Sequence, residues 1–281
     1  MTEDAKFLRA GNDEQNVLPD LAGNDFIDGR DEEKKNLPVA QFQSRDIAMR
    51  ANSAEQIAKM GYDYLLESAE IRQRRLVSAS RLNEPASNAF RELRRNVFDF
   101  TGISNPIVMV SGVGGRVGST HVAKNLAAAI ALDETSTSMY VDCNITLGSE
   151  KDDEHLGLTD FLESKEIEED KIIQETGIRR MRHIGPGRQR ELAGEYFSSP
   201  RIRELFQSIS GRYPDRSIVV DAPPASTDAA ILADMCDVVL LVVAYGRNTE
   251  RQIGDAISIF GRDKLMGFVF NDQPYVPEFE W

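Results

Sequence analysis

An apolar run, Ile107-Val-Met-Val110, leads into S-G-V-G-G-R-V-G-S-T over Ser111–Thr120, and a helix-like stretch follows from His121 to Leu132. Strand, glycine-rich loop and helix in this order make a cradle for phosphate. Glycines let the backbone turn tightly and approach an anion, and the N–H groups of the loop and first helical turn then point at it. Gly114, Gly115, Arg116, Val117, Gly118, Ser119 and Thr120 are the expected phosphate-binding residues. Loops of the form G-x-x-x-x-G-K-[ST] also carry a lysine for the β- and γ-phosphates and a hydroxyl for Mg²⁺. Here Val117 stands in the place of the second glycine and Gly118 in that of the lysine, with Ser119 as the metal hydroxyl. Arg116 is the nearest substitute cation; Lys124, one turn along the helix, sits too far from its start.

Two aspartates end apolar strand-like segments, Ser138-Met-Tyr-Val-Asp142 and Ser217-Ile-Val-Val-Asp221, the second followed by Ala-Pro-Pro224. Beside a phosphate loop, a strand-end carboxylate holds Mg²⁺ directly or through water, or polarises an attacking hydroxyl. Asp142 and Asp221 are therefore the expected catalytic and metal-binding carboxylates. The competing reading is a strand-end turn residue.

The elements that must position these groups follow from periodicity. Strands are expected at 107–110, 139–142, 217–221, 238–244 and near 267–270, and helices at 119–132, about 157–165, 200–211, 227–235 and 249–260. Alternating strands and helices with β-branched strands define an α/β fold, a parallel sheet flanked by helices on both faces. Such sheets bind ligands at the carboxyl ends of their strands. Ahead of this domain, taken as 80–281, residues 1–44 read as a disordered acidic arm. Residues 45–79 read as a helical segment interrupted near Gly61. Within 85–98, Ala89, Phe90, Leu93 and Val97 form an apolar stripe, with Arg91, Arg94 and Arg95 along neighbouring directions.

The 281 residues carry a net charge of −13 and a pI near 4.8, which argues against nucleic acid as a partner. No apolar run is long enough for direct membrane insertion, and the first residues lack the apolar core of a signal peptide. Cys143 and Cys236 read as buried thiols of a reducing cytoplasm, and the three scattered histidines do not suggest zinc.

Several blocks, in order, resemble the bacterial tyrosine kinases (BY-kinases) of capsule and exopolysaccharide export, relatives of the MinD/ParA-like P-loop ATPases. These are P-A-S-N-A-F-R-E-L-R-R-N-V at 85–97, the loop at 111–120, Asp142-Cys-Asn144 and G-L-T-D-F-L at 157–162. S-S-P-R-I-R-E-L-F at 198–206 and D-A-P-P at 221–224, with the D-A-A-I-L-A-D-M-C-D-V-V-L-L-V-V that follows, complete the set. The resemblance, over about 80–275, implies ATP or ADP with Mg as cofactors and a membrane polysaccharide copolymerase as partner. It also implies self-association through Arg91 and Arg94, and a cytoplasmic location, peripheral at the inner membrane through the partner. Departures point to a degenerate member: Gly118 for the lysine, Asn144 for a second aspartate, Asn88 for a glutamate of the arginine helix. Tyr275 stands alone where the family has a terminal tyrosine cluster of phospho-acceptors. The leading expectation is a pseudokinase regulator or scaffold. The alternatives are an active Mg-ATP-dependent tyrosine autokinase or ATPase, and a localisation ATPase of the MinD/CpaE sort.

Overall fold

The computed structural model describes residues 4–9, 57, 60–78, 84–147 and 156–273. In chain order the elements are β1 (Asp4–Arg9), α1 (Ser68–Gln73), α2 (Pro85–Thr101), β2 (Ile107–Gly112), α3 (Ser119–Ala131) and β3 (Thr137–Asp142). Next come α4 (Leu158–Glu163), β4 (Ile173–Glu175), β5 (Met181–Ile184), α5 (Ala193–Phe197), α6 (Pro200–Arg212) and β6 (Arg216–Asp221). The last are α7 (Thr227–Ala233), β7 (Val238–Ala244), α8 (Glu250–Phe260) and β8 (Leu265–Gln273).

The eight strands form one sheet in the order β1-β8-β7-β2-β6-β3-β5-β4. From β8 to β5 neighbouring strands run parallel, as the Val- and Ile-rich runs require when both faces are covered. Both edges are antiparallel, β1 on β8 and β4 on β5, and the sequence suggested neither. The expected arm over 1–44 is corrected at Asp4–Arg9, which is a strand paired to β8; its remainder lies outside the described residues.

Side chains alternate across the sheet. Val108, Val110, Tyr140, Val219, Leu240 and Val242 pack beneath α2 and α3. Met109, Met139, Val141, Val220 and Leu241 pack against α6, α7 and α8. Helix α3 lies between the sheet and α2, with nine residues from Val122 to Ala131 buried. Its run of alanines permits that close approach, and α2 meets it through Phe90, Leu93 and Val97.

The helix expected over 45–79 is corrected in its described part. Ile57 is helical, but beyond it only Ser68–Gln73 forms an α-helix. Residues 60–66 run as a strap along the β4–β5 edge. Asp63 N–H donates to Glu175 and Leu66 N–H to the Gly177 carbonyl, both at 2.9 Å, and Arg182 donates to the Gly61 carbonyl at 2.7 Å. Tyr62 receives the Arg180 N–H at 2.9 Å and lies under the guanidinium groups of Arg179 and Arg182. These tertiary bonds outweigh a weak helical preference.

Candidate phosphate and metal site

The chain leaves β2 for β3 on one side of the sheet, and leaves β6 for β7 on the other. Crevices at such a reversal, beyond the carboxyl ends of the strands, are where these sheets bind ligands. The 113–118 loop sits there. Val113 N–H donates to the Val242 carbonyl at 2.9 Å, and Ser111 Oγ donates to the Pro223 carbonyl at 2.7 Å, which ties β2 to the turn after β6. Gly112 has to be glycine, because an added Cβ would lie 2.5 Å from Val117 Cγ2 and 2.7 Å from the Gly114 carbonyl oxygen.

Gly118 is the N-cap of α3 at φ 89°, a conformation that costs other L-residues dearly. A Cβ there would come within 2.0 Å of Asn271 Nδ2, and that amide donates to the Val117 carbonyl at 3.0 Å. No lysine fits at 118. Gly118 is the glycine before the lysine, so the lysine place is Ser119, the first helical residue. Its Oγ faces back into the loop, 3.6 Å from where a Gly112 Cβ would stand. The assignment of the missing lysine to position 118 is corrected accordingly. The letters alone placed the second glycine at Val117, and the left-handed torsion at Gly118 moves the register by one residue.

Asp142 and Asp221 are register partners on β3 and β6. Each follows an α3-facing residue by two positions, Tyr140 and Val219, so both point to the α3 side. Tyr140 donates its hydroxyl to Asp221 Oδ2 at 2.8 Å and lies 3.4 Å from Asp142 Oδ2. Asn144 donates its backbone N–H and its amide to Asp142 Oδ1, each at 3.0 Å, and the same amide reaches the Asp221 carbonyl at 3.3 Å. A carboxylate at 144 would face Asp142 with like charge; the asparagine clips the two strand ends together.

Asp221 is fully buried, and its Oδ1 has no hydrogen-bond partner. Burial pushes its pKa up to about 7, and the Asp142 charge adds to the rise. The Tyr140, Thr120 and Asn144 side chains oppose it, Thr120 standing close without a hydrogen bond to Oδ1. Thr120, rather than Ser119, is therefore the hydroxyl beside this carboxylate. The same surroundings raise the Tyr140 pKa, burial first and Asp221 next. His183 stacks on Tyr140 at 5.3 Å, and burial lowers its pKa to about 4. Two carboxylates, an orphaned buried oxygen and a hydroxyl suit a hard cation that keeps water and phosphate oxygens as its other ligands.

The remaining expected residues separate. Arg116 is exposed at φ 59°. It lines a pocket of about 360 Å³ with Arg72, Arg75, His121 and Asn271, a lining that includes neither Asp142 nor Asp221. Arg94 turns inward, donating to the Ala129 carbonyl at 3.4 Å and pairing with Asp133 at 3.6 Å. Arg91 and Asn88 are exposed on α2. Tyr275 lies outside the described residues. The sequence reading passed over Tyr140 and Asn125, both on apolar faces. Asn125 is buried and bonds Val77 N–H at 2.8 Å and the Arg75 carbonyl at 3.2 Å, fastening the chain ahead of α2 to α3.

Fold and site together define a P-loop α/β protein. The chain is 29% identical over 213 residues to the tyrosine-protein kinase wzc of Salmonella typhi, covering 71% of this chain and 28% of that protein. It is also 29% identical over 178 residues to the tyrosine-protein kinase etk of Escherichia coli K12, 60% of this chain and 24% of that protein. It thus spans about a quarter of the length of these relatives. Among solved structures, the BceF tyrosine kinase domain aligns with a TM-score of 0.62 at 25% identity, over 73% of this chain and 87% of that one. The kinase domain of Escherichia coli ETK gives a TM-score of 0.62 at 22% identity, over 82% and 98%, and shows the same fold. No protein-family model matches. Over this span the chain is similar in sequence to bacterial tyrosine-protein kinases, and it shares the fold of their kinase domains.

Proposed function

We propose that the chain is a nucleotide-binding, kinase-like protein of exopolysaccharide export in which phosphoryl transfer is slow or lost. In this reading it works in the cytoplasm as a regulator or scaffold for a membrane polysaccharide copolymerase, held peripherally at the inner membrane by that partner. Among the described residues, no helix is long and apolar enough to cross a membrane. One observation carries the reading: an ordered Thr120–Asp142–Asp221 cluster stands beside a loop whose lysine place holds Ser119. The parts that bind are kept, while a part that stabilises transferring charge is gone.

In this site the N–H groups of 114–120 and the start of α3 would seat the phosphates. Mg²⁺, held by Thr120, Asp142 and Asp221, would neutralise phosphate charge. Tyr140 and Asn144 orient the two carboxylates, and Gly118 lets the loop meet the helix. Losing one preorganised cation commonly costs roughly 10²–10³-fold in rate, so turnover is expected to be far below that of an intact loop.

Calorimetry with ADP and ATP, with and without Mg²⁺, tests the binding half. Mg-dependent binding is expected, and none at millimolar nucleotide would overturn it. An active autokinase is the second reading. It is favoured by Asp221, whose pKa of about 7 suits a base at neutral pH. Incubation with Mg·ATP and phosphotyrosine detection separates the two. A signal abolished by Asp142→Asn or Tyr275→Phe would establish the kinase and remove the regulator-only reading.

A further inference from the structure

The loop without its lysine still has a cation nearby, from an unexpected direction. Lys124 lies four residues after Thr120, so the two share one face of α3, separated by about 6 Å along the axis. Helical side chains lean toward the N-terminus, which carries a lysine at this position up toward Thr120. Its Nζ lies 5.4 Å from the centre of the Tyr140 ring, and that tyrosine's hydroxyl bonds Asp221 at 2.8 Å. His183, stacked on the same ring, also feels the Lys124 charge. The ammonium therefore stands beside the tyrosine that holds Asp221, whereas Arg116 opens into a pocket whose lining includes neither carboxylate nor Lys124. Asp221 Oδ1, buried and without a hydrogen bond, leaves an unmet acceptor on the carboxylate that Tyr140 holds.

We propose that Lys124 supplies from the second turn of α3 the phosphate-binding charge that the loop no longer supplies at position 119. The inference rests on the nucleotide-binding reading given above. The site it describes is a relocated one: the backbone cradle is unchanged, and the cation approaches the terminal phosphate from beneath Thr120.

Calorimetry with ADP and ATP on the wild-type chain, Lys124→Gln, Lys124→Arg and Arg116→Ala tests this. Lys124→Gln should weaken ATP binding about tenfold or more, the effect of removing one charge-assisted contact, and weaken ADP binding less. Lys124→Arg should restore most of the loss, and Arg116→Ala, which keeps the backbone N–H of the cradle, should weaken ATP binding less than Lys124→Gln does. Placing a lysine back in the loop, Ser119→Lys, should make Lys124→Gln harmless in the double variant, a rescue that a purely structural lysine would not show. A thermal melt of each variant checks folding. If Lys124→Gln does not fold, the wild-type Lys124 side-chain NMR resonances should shift on adding Mg·ATP, and unmoved resonances would overturn the proposal. Wild-type binding that Lys124→Gln leaves intact would overturn the relocated cation while sparing the nucleotide reading. A wild-type chain that binds no nucleotide would overturn both.

Discussion

Gly118 and Asp221 show how much rides on single atoms. Gly118 holds a left-handed torsion under Asn271. Gly118→Lys should therefore destabilise the fold by at least about 2 kcal/mol from torsion and overlap together, measured as a lowered midpoint in urea. Ser119→Lys, one residue on, should leave stability near wild type and raise ATP affinity. Asp221 titrates higher in the fold than in the unfolded chain. Its contribution is complete below the ordinary aspartate range and is lost as pH rises toward about 7. Thermal stability should show that decline, Asp221→Asn should remove it, and Mg²⁺ should offset it at alkaline pH in the wild type. His183 acts oppositely: kept neutral by burial, it weakens the fold as pH drops from about 6.5 toward 4. The Asp221 slope, confined to the span from the ordinary aspartate range to about 7, overlaps that of His183 and is thus read by difference from the variant. Both aspartates were legible in the sequence because they end runs of β-branched residues. The torsion at 118 was not, since nothing in the letters G-R-V-G-S-T tells which glycine turns left.

Elements that form the parallel core could be read from periodicity, because each buries an apolar face against a single neighbouring layer. Helices α3, α6, α7 and α8 fall within two residues of expectation, and α6 begins at its Pro200 with Ser199 as cap. Failures cluster where partners are distant. Strands β4 and β5 are short and half-buried, and the 60–66 strap owes its course to bonds with residues more than a hundred positions away. Asn125 is the hinge of this lesson. A lone amide in an alanine-rich helix reads as incidental, yet it satisfies the backbone of Arg75 and Val77. Asn125→Leu should remove the acceptor that holds the Val77 N–H, at about 1–3 kcal/mol. Hydrogen exchange at 75–78 should then quicken while exchange in β2 and β6 does not.

On the scale of the whole molecule, the exposed arginine of α2 and the sheet edges govern what the domain can meet. Arg94 is engaged with α3, which leaves Arg91 as the described arginine of the expected self-association pair that faces outward. If copies of the chain assemble through this helix, Arg91→Glu should shift the sedimentation profile toward monomer and Arg94→Glu should chiefly lower stability. At the other boundary, β1 covers β8 and spares it a row of unpaired backbone groups, the usual template for unwanted strand pairing. That cover is made between segments separated by about 260 residues of chain, the kind of contact that forms late because its loop must close first. Until β1 arrives, β8 is an open edge, so the interval between core formation and edge closure is when the chain is most exposed to aggregation. Its folding yield, more than its final stability, should therefore depend on Asp4–Arg9.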